Sequence, residues 1–480
     1  MCLFLYAIHL KKTTTTTMDE IVFLGSDYSE GSTAPYESSE DDATTDGAGS
    51  GTEADRHAME HTYDMALPVK HSYLGENLEE LQGRTMLDDD SVQTLPLLPQ
   101  PGVVLVPGQT LPLSVFYPPA VSMLRRSVAT DRTFGVVCVS RYSIQNAAKL
   151  AEVGTTAEIY EFQDEDAEAG FRVKAKGRQR FKILETRRQF DGNVSARVRV
   201  LPERILPHSL AEVRLASLDR FRTTPGQAGC RYMKQDAAVT RWPFWVHAQY
   251  ECSRLVQRMR QQLEYLKLGK GNVSIPSDPV DLSYWVAQNL PLSDEQRMGL
   301  LKLDSAVQRL RLELSVLEKC RVLCCRDCQS KVAEQKDVFS MSVEGPQGTY
   351  VNPGGYIHET VTVHRAKGLR TVEEQPSTEY TWFPGYAWTI AECRGCRRHM
   401  GWRFTATKAH LKPARFWGLC RRSLYLQFKS DGTEETLPVM AWQDWTCRWN
   451  LRGQSCWCFR CLWEVTTAPS KLPPVKRTLN

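Results

Sequence analysis

Two Cys-x-x-Cys knuckles, Cys325-Arg326-Asp327-Cys328 and Cys393-Arg394-Gly395-Cys396, stand 64 residues apart in a stretch that otherwise reads as short strands and turns. Each knuckle lets two thiolates reach one metal ion from a tight turn. Two knuckles complete a tetrahedral Cys₄ set with no open position for a catalytic water. That donor set suits one structural zinc ion, which would tie distant strand ends together and contribute folding energy directly. Cys320 and Cys324 lie beside the first knuckle, but only Cys325 with Cys328 has the two-residue gap. The chain's 15 cysteines cluster in such pairs and no secretory signal accompanies them, which favours reduced thiolates inside the cell over a disulfide framework. A third knuckle, Cys458 with Cys461, sits beside Cys447 and Cys456 in a Trp/Cys-rich tail that lacks strands to orient such ligands.

Around the second knuckle, Trp382, Trp388 and Trp402, with Tyr386 and Phe404, fall within 23 residues. Aromatics so placed can serve as the core of a zinc domain. Three features point instead to a binding cage. Trp382 opens a loop-like Trp382-Phe383-Pro384-Gly385, Trp388 and Trp402 flank the metal knuckle, and Asn352-Pro353-Gly354-Gly355 offers a sharp turn and a polar amide for a pocket mouth. A box of this type grips a flat or rounded ligand by its faces while a few polar groups orient it. Strands are expected nearby at 337–343 (DVFSMSV), 356–363 (YIHETVTV) and 387–393 (AWTIAEC).

The rest of the chain has room for further domains, since 480 residues can hold two or three. No run of eighteen apolar residues occurs, so no membrane-spanning helix is expected. The opening MCLFLYAIHLKK reads as a ragged start rather than a signal peptide, and Met18 is an equally good beginning. Between Met18 and Asp64, thirteen acidic residues face a single arginine, the composition of a disordered acidic tail, assigned to 1–71. No Lys/Arg stripe interleaved with aromatics appears, which argues against nucleic acid as a partner.

From Leu95 short β-prone runs alternate with Pro and Gly. Strands are expected at 134–139, 155–162 and 171–185, the last with Phe171, Val173, Phe181 and Ile183 alternating with basic residues. After about Leu210 the period becomes helical: Leu255, Val256, Met259 and Leu263 share a stripe, as do Val307, Leu310, Leu314 and Leu317. Ser277-Asp278-Pro279 looks like a cap followed by a first-turn proline, and Ser293 with Gln296 has capping-box spacing. The fold class read from this is α+β multidomain: a β domain with a helical bundle over 95–319, a zinc-bound all-β domain over 320–428, and an irregular tail over 429–480.

In STEYTWFPGYAWT, GTTAEIY, GRQRFK and FTATK the chain resembles the cereblon family, substrate receptors of cullin–RING ubiquitin ligases, over about Ser72 to Arg422. The resemblance implies a Lon N-terminal-type domain, carried by LPLLPQPGVVLVPGQTLPL and LLKLDSAVQRLRLEL, followed by a CULT, or thalidomide-binding, domain. It implies that a helical insert at about 205–270 docks the damaged-DNA-binding adaptor protein of the ligase. It further implies that Cys325, Cys328, Cys393 and Cys396 bind zinc. Trp382, Trp388 and Trp402 would form a tri-tryptophan cage for a glutarimide or related cyclic imide, with Tyr380, Phe404 and Asn352 beside them. Degron-bearing proteins would be presented there for ubiquitination, in cytoplasm and nucleus, with no catalytic residue in this chain. Tyr380 stands where the family usually has histidine, and Ile390 behind the cage would restrict bulky ligands.

Two other functions compete. A methionine sulfoxide reductase-like enzyme would need a reactive cysteine near the aromatics, for which only Cys320, Cys324 and Cys420 are available. A methyl-lysine reader would use the same cage by cation–π attraction with Glu379 at its rim. Lon-type proteolysis lacks the GxxxxGK phosphate loop and room for the ATPase and protease domains.

Overall fold

The computed structural model describes residues 61–140, 149–164, 170–213, 217, 227–266, 273–372 and 375–428. The opening segment with Met18, the Cys458–Cys461 knuckle and the tail from 429 onward lie outside the described residues. The first part of the fold comprises β1 (Glu79–Glu80), β2 (Val92–Pro101), β3 (Thr110–Val115), helix α1 (Pro118–Ala129), β4 (Thr133–Ser140), β5 (Lys149–Leu150), β6 (Val153–Asp164), β7 (Phe171–Arg188) and β8 (Val194–Leu201). The two-residue period decides these strands: on β8, Ala196, Val198 and Val200 are buried while Arg197 and Arg199 are exposed. Strands pair in the order β6-β4-β2-β8-β7, and β7 returns to pair with β6, so the five close into a small barrel without free edges there. Only β2 and β4 run parallel among them. A parallel pair needs a crossover, and α1 lies on it, burying Ala120, Met123, Leu124 and Ser127 at helical spacing.

Helices follow: α2 (Gln227–Ala238), α3 (Phe244–Ala248), α4 (Cys252–Tyr265), α5 (Pro279–Asn289), α6 (Asp294–Leu301) and α7 (Ala306–Lys319). The Asp278 carboxylate accepts from the amides of Val280 and Asp281 at the start of α5, with Pro279 in its first turn. Ser293 and Gln296 make the reciprocal capping box of α6 at 3.2 and 3.0 Å. Leu255, Met259 and Leu263 of α4 and Leu310, Leu314 and Leu317 of α7 enter one core with Val361, Val363, Met400 and Leu419 of the strands beyond. No helix among the described residues is long and apolar enough to cross a membrane.

The C-terminal part is all β: β9 (Cys320–Cys325), β10 (Lys331–Glu334), β11 (Gln347–Val351), β12 (Ile357–Val363), β13 (Leu369–Thr371), β14 (Tyr386–Cys393), β15 (His399–Ala406), β16 (Arg415–Cys420) and β17 (Leu424–Phe428). One sheet runs β10-β9-β17 and the other β11-β12-β16-β15-β14-β13, antiparallel throughout. β17 pairs along β9 and closes the described part of this domain at Phe428.

Two expectations are corrected. The segment 337–343 is not a strand: Val338 makes a single bridge to Val363, and the residues after it run irregularly. Its backbone bonds go elsewhere, Phe339 N–H to Thr362 C=O and Val343 N–H to Met65 C=O, so Val338, Phe339 and Met341 are buried without a ladder. The tail assigned to 1–71 also ends early. Tyr63, Met65 and His71 are buried, Tyr63 packs edge-on against Tyr386 at 5.3 Å, and the Val351 amide donates to the Tyr73 hydroxyl. The acidic run ends at Asp64, apolar residues follow through 65–74, and the segment straps across the C-terminal sheet.

The barrel, helices and C-terminal sheet meet at a buried ionic cluster. Glu359 on β12 accepts from Arg421 Nε at 2.9 Å and from Arg297 on α6. Arg421 also bonds Asp294 at 2.6 Å and the Leu292 carbonyl at 2.7 Å, and Gln109 reaches Glu359 at 3.4 Å. Burial pushes the Glu359 carboxyl up, but the two guanidinium groups outweigh it and hold its pKa at about 2.

Candidate functional site

The first knuckle is the turn between β9 and β10, and the second is the turn between β14 and β15, so each comes from a different sheet. Both turns close identically. Gln329 N–H bonds Cys325 C=O and Arg397 N–H bonds Cys393 C=O, each at 2.9 Å, with left-handed φ of 59° and 60° at Gln329 and Arg397. This local geometry points both sulfurs of a knuckle the same way. Cys325 Sγ lies 3.5 Å from Cys396 Sγ and Cys328 Sγ lies 3.4 Å from Cys393 Sγ, with all four sulfurs within 4.8 Å of one another. A tetrahedral ion with zinc–sulfur bonds of about 2.3 Å sets its ligands roughly 3.8 Å apart. The donor set therefore fits one zinc ion, and Cys320 and Cys324 stand outside it.

Beside this centre, strand register builds an aromatic face. Trp388 pairs with Phe404 and Ile390 with Trp402 across β14 and β15, and Phe404 and Trp402 pair with Phe416 and Gly418 on β16. Gly418 is required: a Cβ there would lie 2.8 Å from the Phe404 ring. Trp382 arrives from the loop before β14 and meets Trp402 edge to face, with centroids 4.6 Å apart. Half-buried Trp388 donates its indole N–H to the Glu379 carbonyl at 2.8 Å, which fastens the 377–381 loop over that ring. Tyr380 is 57% exposed at the loop tip with φ of 50°, a conformation costly for a bulky side chain.

The other expected residues have different surroundings. Phe404 is fully buried and stacks on Phe416 at 5.0 Å, so it supports the aromatic face from beneath. Asn352 caps the β11–β12 turn, its side-chain oxygen accepting from the Tyr356 amide at 2.8 Å. The hairpin instead reaches the tryptophans through the cross-strand partners Tyr350 and His358. Tyr350 stacks on Trp382 at 5.0 Å, while His358 lies 5.6 Å from Trp382 and 5.1 Å from Trp402. His399 takes a further side of Trp402 at 4.9 Å. Sequence reasoning missed these three; the alternation of YIHETVTV places His358 on a face, but nothing local says that this face meets Trp402. Burial pushes the thiols of Cys320 and Cys420 up to about 12 and raises that of Cys324 as well, away from the thiolate form that a reductase would use.

Comparison with known proteins extends the assignment. The family model for the ATP-dependent protease La (LON) substrate-binding domain matches residues 94–319. The model for Yippee zinc-binding/DNA-binding/Mis18, centromere assembly, matches residues 321–435. Protein cereblon of Gallus gallus is 46% identical over 393 residues, covering 78% of this chain and 87% of its own. The chain belongs to the cereblon family. Cereblon of Danio rerio is also 46% identical, covering 75% and 87%, and cereblon of Drosophila pseudoobscura pseudoobscura is 32% identical, covering 75% and 59%. A solved Lon N-terminal domain protein from Xanthomonas campestris, 22% identical, covers 46% of this chain and 98% of its own with a TM-score of 0.29, which adds nothing to the assignment. In this cereblon relative the zinc centre is thus supported both by a zinc-binding family model and by the convergence of four sulfurs.

The aromatic region of this cereblon-family chain should respond to acid. Burial lowers the pKa of His71 to about 3 and those of His358 and His364 to about 4, so all three are neutral in the fold. A histidine with a folded pKa below its free value of about 6.5 contributes stability fully above that value and loses it as pH falls toward the folded pKa. The melting temperature is expected to drop between pH 6.5 and 4, and His358→Asn should flatten that slope. An identical slope in the variant would contradict the assignment of His358 as a buried neutral ring.

Proposed function

We propose that this chain is a non-catalytic substrate receptor of a cullin–RING ubiquitin ligase. Its tryptophan face binds cyclic-imide degrons, or glutarimide ligands, and presents the proteins that carry them for ubiquitination and proteasomal degradation. Family membership supports the receptor role. The observation that carries the ligand class is the edge-to-face contact of Trp382 with Trp402, on the face shared by Trp388 and backed by Tyr350 and His358. Rings fixed in this way make a rigid apolar wall suited to a small flat ring, and the exposed loop at Glu379 and Tyr380 supplies polar backbone at its mouth. Ile390, directly opposite Trp402, narrows what can sit alongside.

Ubiquitin transfer itself is left to partner subunits. The segment around 205–270 is the proposed dock for the damaged-DNA-binding adaptor, and it exposes the apolar side chains Ile205, Val239, Trp245 and Tyr265, which a partner would cover. On this reading the receptor works in cytoplasm and nucleus, with neither nucleic acid nor membrane as a partner.

The test is titration of the purified protein with glutarimide, read by tryptophan fluorescence, alongside co-purification with the adaptor. Trp388→Ala is expected to weaken imide binding by roughly 30-fold or more, the effect of losing about 2 kcal/mol at an aromatic hot spot, with adaptor binding intact. Unchanged imide affinity, or loss of both interactions together, would overturn the division of labour. A trimethyl-lysine peptide that outcompetes the imide would favour the reader function instead.

A further inference from the structure

The two knuckles repeat one backbone design, and the repeat singles out a pair of residues that are not ligands. Two positions after the last cysteine of each knuckle stand Ser330 and Arg398. Their carbonyls accept from Cys325 N–H and Cys393 N–H respectively, each at 2.9 Å. Both side chains then cross to the opposite knuckle. Ser330 Oγ lies 3.2 Å from Cys328 Sγ and 3.5 Å from Cys393 Sγ, one sulfur from each knuckle. Arg398 pairs through Nη1 with Asp327 of the first knuckle. Its Nε is buried with no hydrogen-bond partner among the described residues.

We infer that Ser330 and Arg398 are positioning residues for the metal, Ser330 through its hydroxyl beside the sulfurs of Cys328 and Cys393 and Arg398 through its ion pair with Asp327 from one knuckle to the other. Four thiolates around a divalent ion leave the centre negatively charged overall, and partners that donate to ligand atoms fix their orientation and spread that charge. The crossing matters as much as the donation. Because the knuckles belong to different sheets, Ser330 and the Arg398–Asp327 pair hold the two turns together and preassemble the four sulfurs.

The experiment uses the full chain and measures zinc affinity by competition with a chromophoric chelator at fixed pH and salt. The Co²⁺-substituted protein gives a second readout in its thiolate charge-transfer band. Ser330→Ala is expected to lower zinc affinity about tenfold, at the low end of the 10–100-fold range for such partners, and to shift the band. Ser330→Thr keeps the hydroxyl and should restore both. Arg398→Met should lower affinity by a similar factor, and the double variant further. Zinc-saturated Ser330→Ala must melt like the parent protein, which separates a weakened site from a damaged fold. Parental affinity and spectrum in Ser330→Ala, or an equal loss in Ser330→Thr, would overturn the proposal. If Arg398→Met does not fold, the serine pair alone decides it.

Discussion

Replacing Glu359 by alanine is expected to destabilise the protein by about 3–5 kcal/mol, the usual cost of stripping one partner from a buried ion pair. The reason is what remains behind. Arg297 and Arg421 are 0% and 2% exposed, and without Glu359 two guanidinium groups would share a dry site with Asp294 at its edge. Glu359→Gln keeps an acceptor but removes the charge, so its loss should fall between alanine and the parent. Denaturant unfolding measures both. A cost below about 1 kcal/mol for alanine would mean that water enters and the cluster does not hold the elements together. The pH dependence has a definite sign: with a folded pKa of about 2 against an ordinary 4.5, the carboxylate's contribution is complete above 4.5 and disappears as pH falls toward 2. Because His358 immediately precedes Glu359 on β12 and touches Trp382 and Trp402, the alanine variant should also weaken the near-ultraviolet dichroism of those indoles.

Metal removal should have the second large effect. Structural zinc sites of this type carry apparent binding free energies of about 10–16 kcal/mol in small domains, comparable with or above a whole domain's stability of about 5–15 kcal/mol. Here Cys325 and Cys393 belong to the core that joins α4, α5 and α7 to the sheets. Chelation, or Cys393→Ser, is therefore expected to lower the melting temperature by about 20 °C or more and, as a consequence, to abolish the proposed imide binding. Restoring zinc after chelation should restore both, whereas Cys393→Ser should not respond. A chelated protein that melts at the parental temperature would show that the sheets are held by packing alone.

What could be read without coordinates shares one property: its geometry is local. A CxxC turn is complete within six residues, so the ligand register followed from spacing alone. Asp278 and Ser293 announce the helices they cap, and the period of β8 announces its buried face. The strand expected at 337–343 failed for the complementary reason. Its residue types suit a strand, but a backbone segment joins a ladder only if a neighbour offers one, and its bonds went to Thr362 and Met65 instead.

The pairing of β2 with β8 in the barrel, the strap of residues 61–75, the meeting of Glu359 with Arg297 and Arg421, and the backing of the aromatic face by Tyr350 and His358 belong to tertiary structure alone. Each joins residues tens to hundreds of positions apart. The residue types bear on whether such a contact is favourable, but only the folded path decides which partners come within reach of one another.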